Sequence, residues 1–333
     1  MYRFQHGLLL GLLILGSCGK QAEHSRLVAV KMMVGRSPCF LPVLLAQQLG
    51  LYRKQGLAVT IDDASSTTKT TQALLGGSVD VAGGMYEQAL TTAAQGQSVT
   101  SFVTLMSSDF RALVVSPAKT DKIRRVEDLR GAVIGVSTMG SPNQFFATSV
   151  VRRHGLSEKN VSIIAVGIFT SAVAALERNR VDAAVLAGSG INLFVKRNPK
   201  ARILVDVRTS EGVEDAFGVQ RFLTSVLYST PKWLAANGDT AKRLARATCD
   251  GLRWIQDHSP GEIAQEMPQT LRTDFDVDRD AITALKANFS QDGLMSLESA
   301  SAVEQALTAL PENSKVQNVD LSKTFTNEFV QVR

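Results

Sequence analysis

Five short segments of this 333-residue sequence gather hydroxyls and glycines: Arg36-Ser37-Pro38-Cys39-Phe40, Ala64-Ser65-Ser66-Thr67-Thr68, Gly83-Gly84-Met85-Tyr86-Glu87, Ser137-Thr138-Met139-Gly140-Ser141 and Ala187-Gly188-Ser189-Gly190. Each stands between an apolar, β-prone run and a stretch with helical spacing. At such a junction the first N–H groups of the helix and the Ser and Thr hydroxyls are donors aimed outward, and the helix dipole favours a negative group. Small residues let a ligand approach the main chain. The same side chains also serve to cap their own helices, which accounts for any one segment equally well. Five alike point to a shared cleft.

The ligand-contacting candidates are therefore Ser37, Phe40, Ser66, Thr67, Tyr86, Glu87, Ser137, Met139, Gly140, Ser141 and Ser189, together with Arg111. Arg36 and Arg111 are suited to clamp a carboxylate, sulfonate or phosphate by paired hydrogen bonds, or to serve as surface charges. Glu87 suits a ligand amine or a solvated helix face. Phe40 and Tyr86 suit the wall of an organic ligand or the core. Asp80 and Asp182 each open a buried strand after a turn and read as backbone caps, not as catalytic acids.

Enzyme signatures are missing. The sequence has no GxSxG, HExxH, P-loop or kinase set, and no GxGxxG before a helix. His6, His24, His154 and His258 lack metal-ligand spacing, so no metal and no cofactor is expected. The formal charge of +5 comes from 36 basic residues interleaved with 31 acidic ones, which excludes a basic stripe for nucleic acid.

The elements that must hold the five segments alternate. Strands are expected at Leu27–Val34, Leu57–Ile61, Val79–Ala82, Val99–Leu105 and Ala112–Val115, with helices at Phe40–Gln55, Thr68–Leu75 and Tyr86–Ala94. The pattern returns with strands at Val133–Val136, Val161–Val166 and Val181–Leu186 and helices at Asn143–Arg153 and Ser171–Glu177. Such alternation implies largely parallel sheets. The two halves share a string. Ala73-Leu74 and Val79-Asp80-Val81-Ala82 answer to Ala175-Leu176 and Val181-Asp182-Ala183-Ala184, and Gly56-Leu57 answers to Gly155-Leu156. Two lobes on one plan follow, unless α/β units merely reuse one turn chemistry. After Phe222 a strand precedes several helices, which are expected to cover the first lobe. Lobe 1 is then 27–115 plus 222–333 and lobe 2 is 116–221, the outward crossing falling near Val115 to Ala118.

The start of the chain carries a compartment signal. Arg3 precedes a short apolar core, Leu8 to Leu15, that runs into Leu15-Gly16-Ser17-Cys18. The core is too short for a mature membrane span. It reads as a lipoprotein signal peptide over 1–17, with Cys18 the lipid attachment site and 18–26 a tether, or as a plain secretory signal with an incidental cysteine. Cys39 and Cys249 remain, either paired or as two small buried side chains.

The strings Ala46-Gln47-Gln48-Leu49-Gly50-Leu51-Tyr52, Gly56-Leu57-Ala58-Val59, Val79-Asp80-Val81-Ala82, Asp128-Leu129-Arg130-Gly131, Ile134-Gly135-Val136 and Gly140-Ser141, in this order, resemble ABC transporter substrate-binding proteins of the nitrate/sulfonate/taurine type. The resemblance implies an α/β, two-lobed type II periplasmic-binding-protein fold. It implies a monomer at the periplasm or cell surface that captures a small organic anion and hands it to permease and ATPase subunits. Enzymes of the pyrimidine-synthase or menaquinone-pathway type share the fold and are the alternative. The cysteine-rich motif of the pyrimidine synthases is absent, and Arg36 departs from the small or polar residue usual at its position.

Overall fold

The computed structural model describes residues 27–331, apart from Arg36, Ser65, Phe169 and the side chain of Ser189. The signal peptide, Cys18 and the tether lie outside the described residues. The strands are β1 (Val28–Gly35), β2 (Leu57–Ala64), β3 (Val81–Met85), β4 (Thr100–Thr104), β5 (Arg111–Val115), β6 (Val133–Val136), β7 (Ser162–Ala165), β8 (Ala183–Ala187), β9 (Arg202–Asp206) and β10 (Ser225–Ser229). The α-helices are α1 (Leu41–Gln48), α2 (Leu51–Lys54), α3 (Thr67–Leu75), α4 (Tyr86–Ala94), α5 (Pro142–Arg153), α6 (Thr170–Glu177), α7 (Ser189–Arg197), α8 (Ser210–Phe217), α9 (Pro231–Ala236), α10 (Gly238–Asp257), α11 (Pro260–Glu266), α12 (Phe275–Leu285) and α13 (Leu297–Thr308).

Two five-stranded sheets result, in the orders β2-β1-β3-β10-β4 and β7-β6-β8-β5-β9. In each, three strands run parallel: β1 with β2 and β3, and β6 with β7 and β8. The fourth position is antiparallel to both neighbours. This is the α/β, largely parallel class that the alternation implies. It also corrects one boundary. Strand β5 pairs with β8 and β9, so the chain leaves the first sheet at residues 105–110 and not near Val115 to Ala118. Hydrophobic runs identify Val99–Leu105 and Ala112–Val115 as strands, but not the sheet each joins. The polar turn Ser107-Ser108-Asp109 between them is the divide.

The shared string has a structural meaning. Asp80 Oδ2 accepts the Lys31 N–H at 2.8 Å, and its own N–H donates to the Lys31 carbonyl at 2.8 Å. Asp182 does the same with Val133, at 2.8 Å in both directions. Each carboxylate locks its own strand, β3 or β8, beside its parallel neighbour, β1 or β6. Before each lies a left-handed residue, Gly77 (φ 72°) in one lobe and Asn179 (φ 54°) in the other. Asparagine tolerates that region better than most side chains.

The helix read over Phe40–Gln55 is broken. Gly50 takes φ 67° and ends α1 before α2 begins, because a left-handed residue cannot continue the helical hydrogen bonds. Helix α1 is buried along Leu41–Ala46 and packs on α10. Helices α9 to α12 add their apolar faces to the first sheet, forming one core with Phe40, Phe102 and Leu244. A second core includes residues of both lobes, Tyr86, Leu90 and Val226 with Leu113, Phe146 and Val185, so the two lobes meet over an apolar surface. Among the described residues, Cys39 and Cys249 are free thiols, and no helix is long and apolar enough to cross a membrane.

Candidate functional site

The parallel strands of both sheets end at one place. A cavity of about 70 Å3 lies there, lined by Gly35, Ala64 and Met85 at the ends of β1, β2 and β3 and by Val185, Leu186 and Ala187 at the end of β8. Ser137 and Ile168, just past β6 and β7, complete the second-lobe wall. Carboxyl strand ends are where open α/β sheets take ligands, because loops can diverge there without breaking strand pairing. Met85, Phe110, Ile168 and Val185 make the wall mostly apolar. The volume suffices for a few water-sized groups.

Three helices begin at this cavity. Thr67 opens α3, Pro142 and Asn143 open α5, and Gly190 lies in the first turn of α7. Ser66 caps α3 by accepting from Lys69 N at 3.4 Å. Ser141 caps α5, accepting from Gln144 N at 3.3 Å, and also accepts the Ser137 hydroxyl at 3.0 Å. The Thr67 carbonyl takes the hydroxyls of Thr70 and Thr71, at 2.7 and 3.1 Å. Hydroxyl groups and unspent helix N–H groups from both lobes thus converge on one small space, a donor-rich and positively polarised environment.

The one cationic residue in the lining of described residues, Arg111, is spoken for. Its side chain is 2% exposed at the start of β5. Nε donates to Asp109 Oδ1 at 2.9 Å and Nη2 to Asp109 Oδ2 at 2.5 Å. Nη1 donates to the Pro142 carbonyl at 2.5 Å and meets Glu87 Oε1 at 3.4 Å. The guanidinium lies 5.4 Å from the Phe146 ring centre and 5.9 Å from those of Phe217 and Phe222. Burial alone would lower its pKa, but Asp109 and Glu87 hold it above the usual value. Arg111 therefore ties together the outward crossing, the start of α4 in one lobe and the start of α5 in the other. Removing one partner of such a buried pair leaves an uncompensated charge, at a cost of about 3–5 kcal/mol.

Glu87 is the weaker-held member. Burial pushes its carboxyl up to about 7, against the pull of Arg111. Its second oxygen, Oε2, is buried with no hydrogen-bond partner among the described residues. Glu87 does not line the main cavity. It borders a second interlobe chamber of about 180 Å3 with Gly140, Ser141, Thr148 and Asn313.

The other expected site residues divide accordingly. Ser37, Ser66, Thr67, Ser137 and Arg111 line the main cavity. Gly140 and Ser141 line the second chamber, Gly140 N donating to Gln144 Oε1 at 2.6 Å. The side chain of Ser189 and the whole of Arg36 lie outside what is described. Three residues lie elsewhere. Phe40 is fully buried under β3, where its ring would meet a Cβ on Gly83 at 2.8 Å. Tyr86 is fully buried and its hydroxyl bonds Thr324 at 2.6 Å. Met139 is 53% exposed, on the tip of its loop. A large side chain beside a loop glycine reads alike as wall or core, and only the register of the following helix decides. Sequence reasoning named Met85 only within its loop, and missed Phe110, Asn143, Ile168 and the carboxylate of Asp109. The strand-end rule was a signal for Met85 and Ile168; for Asp109 there was none, because its strand was placed in the other sheet.

The same architecture occurs in solved proteins. A protein of Bordetella bronchiseptica RB50 is 30% identical, with a TM-score of 0.84 over 91% of this chain and 95% of that one. The alkanesulfonate-binding protein SsuA of Xanthomonas axonopodis pv. citri, bound to MOPS, shares 16% identity and a TM-score of 0.70 over 90% of this chain and 98% of that one, which establishes a periplasmic-binding-protein fold. Among curated proteins, the 4-amino-5-hydroxymethyl-2-methylpyrimidine phosphate synthase of Schizosaccharomyces pombe is 28% identical over 132 residues. That match spans 40% of this chain and 37% of the synthase. A family model described as NMT1/THI5 like matches residues 37–262, from the first cavity loop through every strand after β1 into α11. With so much of both lobes inside the match, the chain belongs to the NMT1/THI5-like family.

Proposed function

We propose that the protein is the extracytoplasmic solute-binding component of an ABC importer, taking a small organic anion into the cavity between its lobes. The observation that carries this reading is the convergence of three helix starts, and of the hydroxyl residues Ser37, Ser66, Thr67 and Ser137 from both lobes, on one apolar-walled space. Helix N-termini can stabilise an anionic head without a free cation, and the ligand's body would lie against Met85, Phe110 and Ile168. Selective capture requires a few placed polar groups on apolar walls, which this lining supplies. Cleavage before Cys18 and its acylation would hold a monomer at the membrane surface by residues 18–26, beside the permease and ATPase subunits it serves.

An enzyme on this fold is the second reading, favoured by the partial match to a synthase. The titratable groups argue for binding instead. Burial pushes the Cys39 thiol up to about 12, against the opposing hydrogen bond from Ser37, so it is a poor nucleophile at neutral pH. Neither Cys39 nor Glu87 lines the cavity.

The test is a thermal-unfolding screen of the protein lacking its lipid, against sulfonates, carboxylates, nitrate, pyrimidines and amines. One class is expected to stabilise it by about 2.7 kcal/mol at a hundredfold excess over Kd. Stabilisation by a neutral or cationic class alone would replace the anion assignment, and conversion of any bound compound to product would favour the enzyme.

A further inference from the structure

Glu87 is a buried carboxyl held at the seam of the lobes by an incomplete set of partners. It lies in the first turn of α4 of the first lobe, whereas its ion-pair partner among the described residues, Arg111, begins a strand of the second. Arg111 already makes both of its short ionic contacts with Asp109, at 2.9 and 2.5 Å, leaving Glu87 the longer one at 3.4 Å. Two carboxylates thus share one guanidinium. Among the described residues, Oε2 of Glu87 has no hydrogen-bond partner, and it has almost no accessible surface in this arrangement. An ionised carboxylate so enclosed costs free energy unless it is paired and hydrogen-bonded. A proton removes that cost, and so does separation of the lobes, which hydrates the group.

We propose that lobe closure takes up a proton at Glu87, so that closure is favoured by acid and weakened as the pH rises. The proposal rests on the solute-capture reading, which supplies the closing motion. The other charged groups around Glu87 do not compete for this role. Asp109 is committed to Arg111, Glu312 at the far side of the second chamber is held by Arg152 at 2.7 Å, and the buried Cys39 thiol stays neutral. The pH window follows from the sign. Glu87 is pushed up to about 7 in the closed lobes and returns to the ordinary carboxyl range when hydrated. The stabilisation of the closed form is therefore complete below the ordinary range and falls about tenfold per pH unit up to about 7. Above that it stays level at its lowest value.

Small-angle X-ray scattering of the solute-free protein, from pH 4.5 to 8.5, reads the radius of gyration with no dependence on which solute is bound. The wild-type radius is expected to grow as the pH rises towards 7, and Glu87→Gln to stay compact throughout. The same profile in both proteins overturns the proposal. Should Glu87→Gln not fold, infrared difference spectra of the wild type decide. A protonated-carboxyl band lost in step with expansion supports proton uptake, and expansion without such a band overturns it. Failure of every solute in the thermal screen would leave either result intact.

Discussion

At the scale of single residues, Arg111 contradicts the simplest reading of an arginine beside a ligand cavity. It lines the space, yet its guanidinium is spent on Asp109, Glu87 and the Pro142 carbonyl. Its role is to hold the crossing and both lobes at one point. Arg111→Ala leaves Asp109, which is fully buried, without a counter-charge. Chemical denaturation is expected to show a loss of about 3–5 kcal/mol, with no compensating gain from solute. A loss under about 1 kcal/mol would mean that the pair is dispensable and that Arg111 is free to serve ligand.

At the scale of elements, a tight constraint falls on β3, where two glycines admit large rings from both faces. Phe40 covers Gly83, and the Tyr228 ring lies across Gly84 with its hydroxyl bonded to Thr71 at 2.5 Å. Any Cβ on Gly84 would overlap that ring and hydroxyl. Gly84→Ala should therefore destabilise by about 1–3 kcal/mol in urea unfolding, although alanine has the better strand statistics on a neutral backbone. Most of these elements were legible in the sequence. The Val-Asp pairs, the Gly-Leu turns and the 2.0- and 3.6-residue periods placed the parallel strands and most flanking helices, because local burial and turn chemistry determine them. Partner choice was not legible. Nothing local tells β5 from β4, and the sheet each joins is decided by edges formed far away in sequence. The site was legible to the same degree. Loop hydroxyls such as Ser66 and Ser137 could be named from their place after a strand, whereas the walls Phe110 and Ile168 and the counter-charge Asp109 depend on which strands become neighbours.

At the scale of the molecule, two ion pairs nearer the surface bridge the lobes among the described residues, besides the buried one. Lys196 of α7 reaches Asp274 before α12 at 3.3 Å, and Arg152 of α5 reaches Glu312 at 2.7 Å. Exposed pairs add little to stability, about 0–1 kcal/mol. On the proposed solute-capture reading, their effect belongs to the equilibrium between closed and open lobes. Lys196→Glu, facing Asp274, should leave the unfolding midpoint nearly unchanged while accelerating solute release in stopped-flow measurements. High salt should reduce the difference from wild type.

The fourth position of each sheet is filled by the first strand after a crossing, β5 in one and β10 in the other. A chain made from its N-terminus therefore holds β3 and β4 apart, with an empty lane between them, until residue 229 has been added. The second sheet needs only residues 111–206 and can assemble while the first is still waiting. The interior segment thus matures before the part that surrounds it, and the unfinished first sheet keeps two raw edges exposed for as long as synthesis lasts. Chaperone capture of nascent chains should peak at lengths short of β10 and collapse once that strand is out.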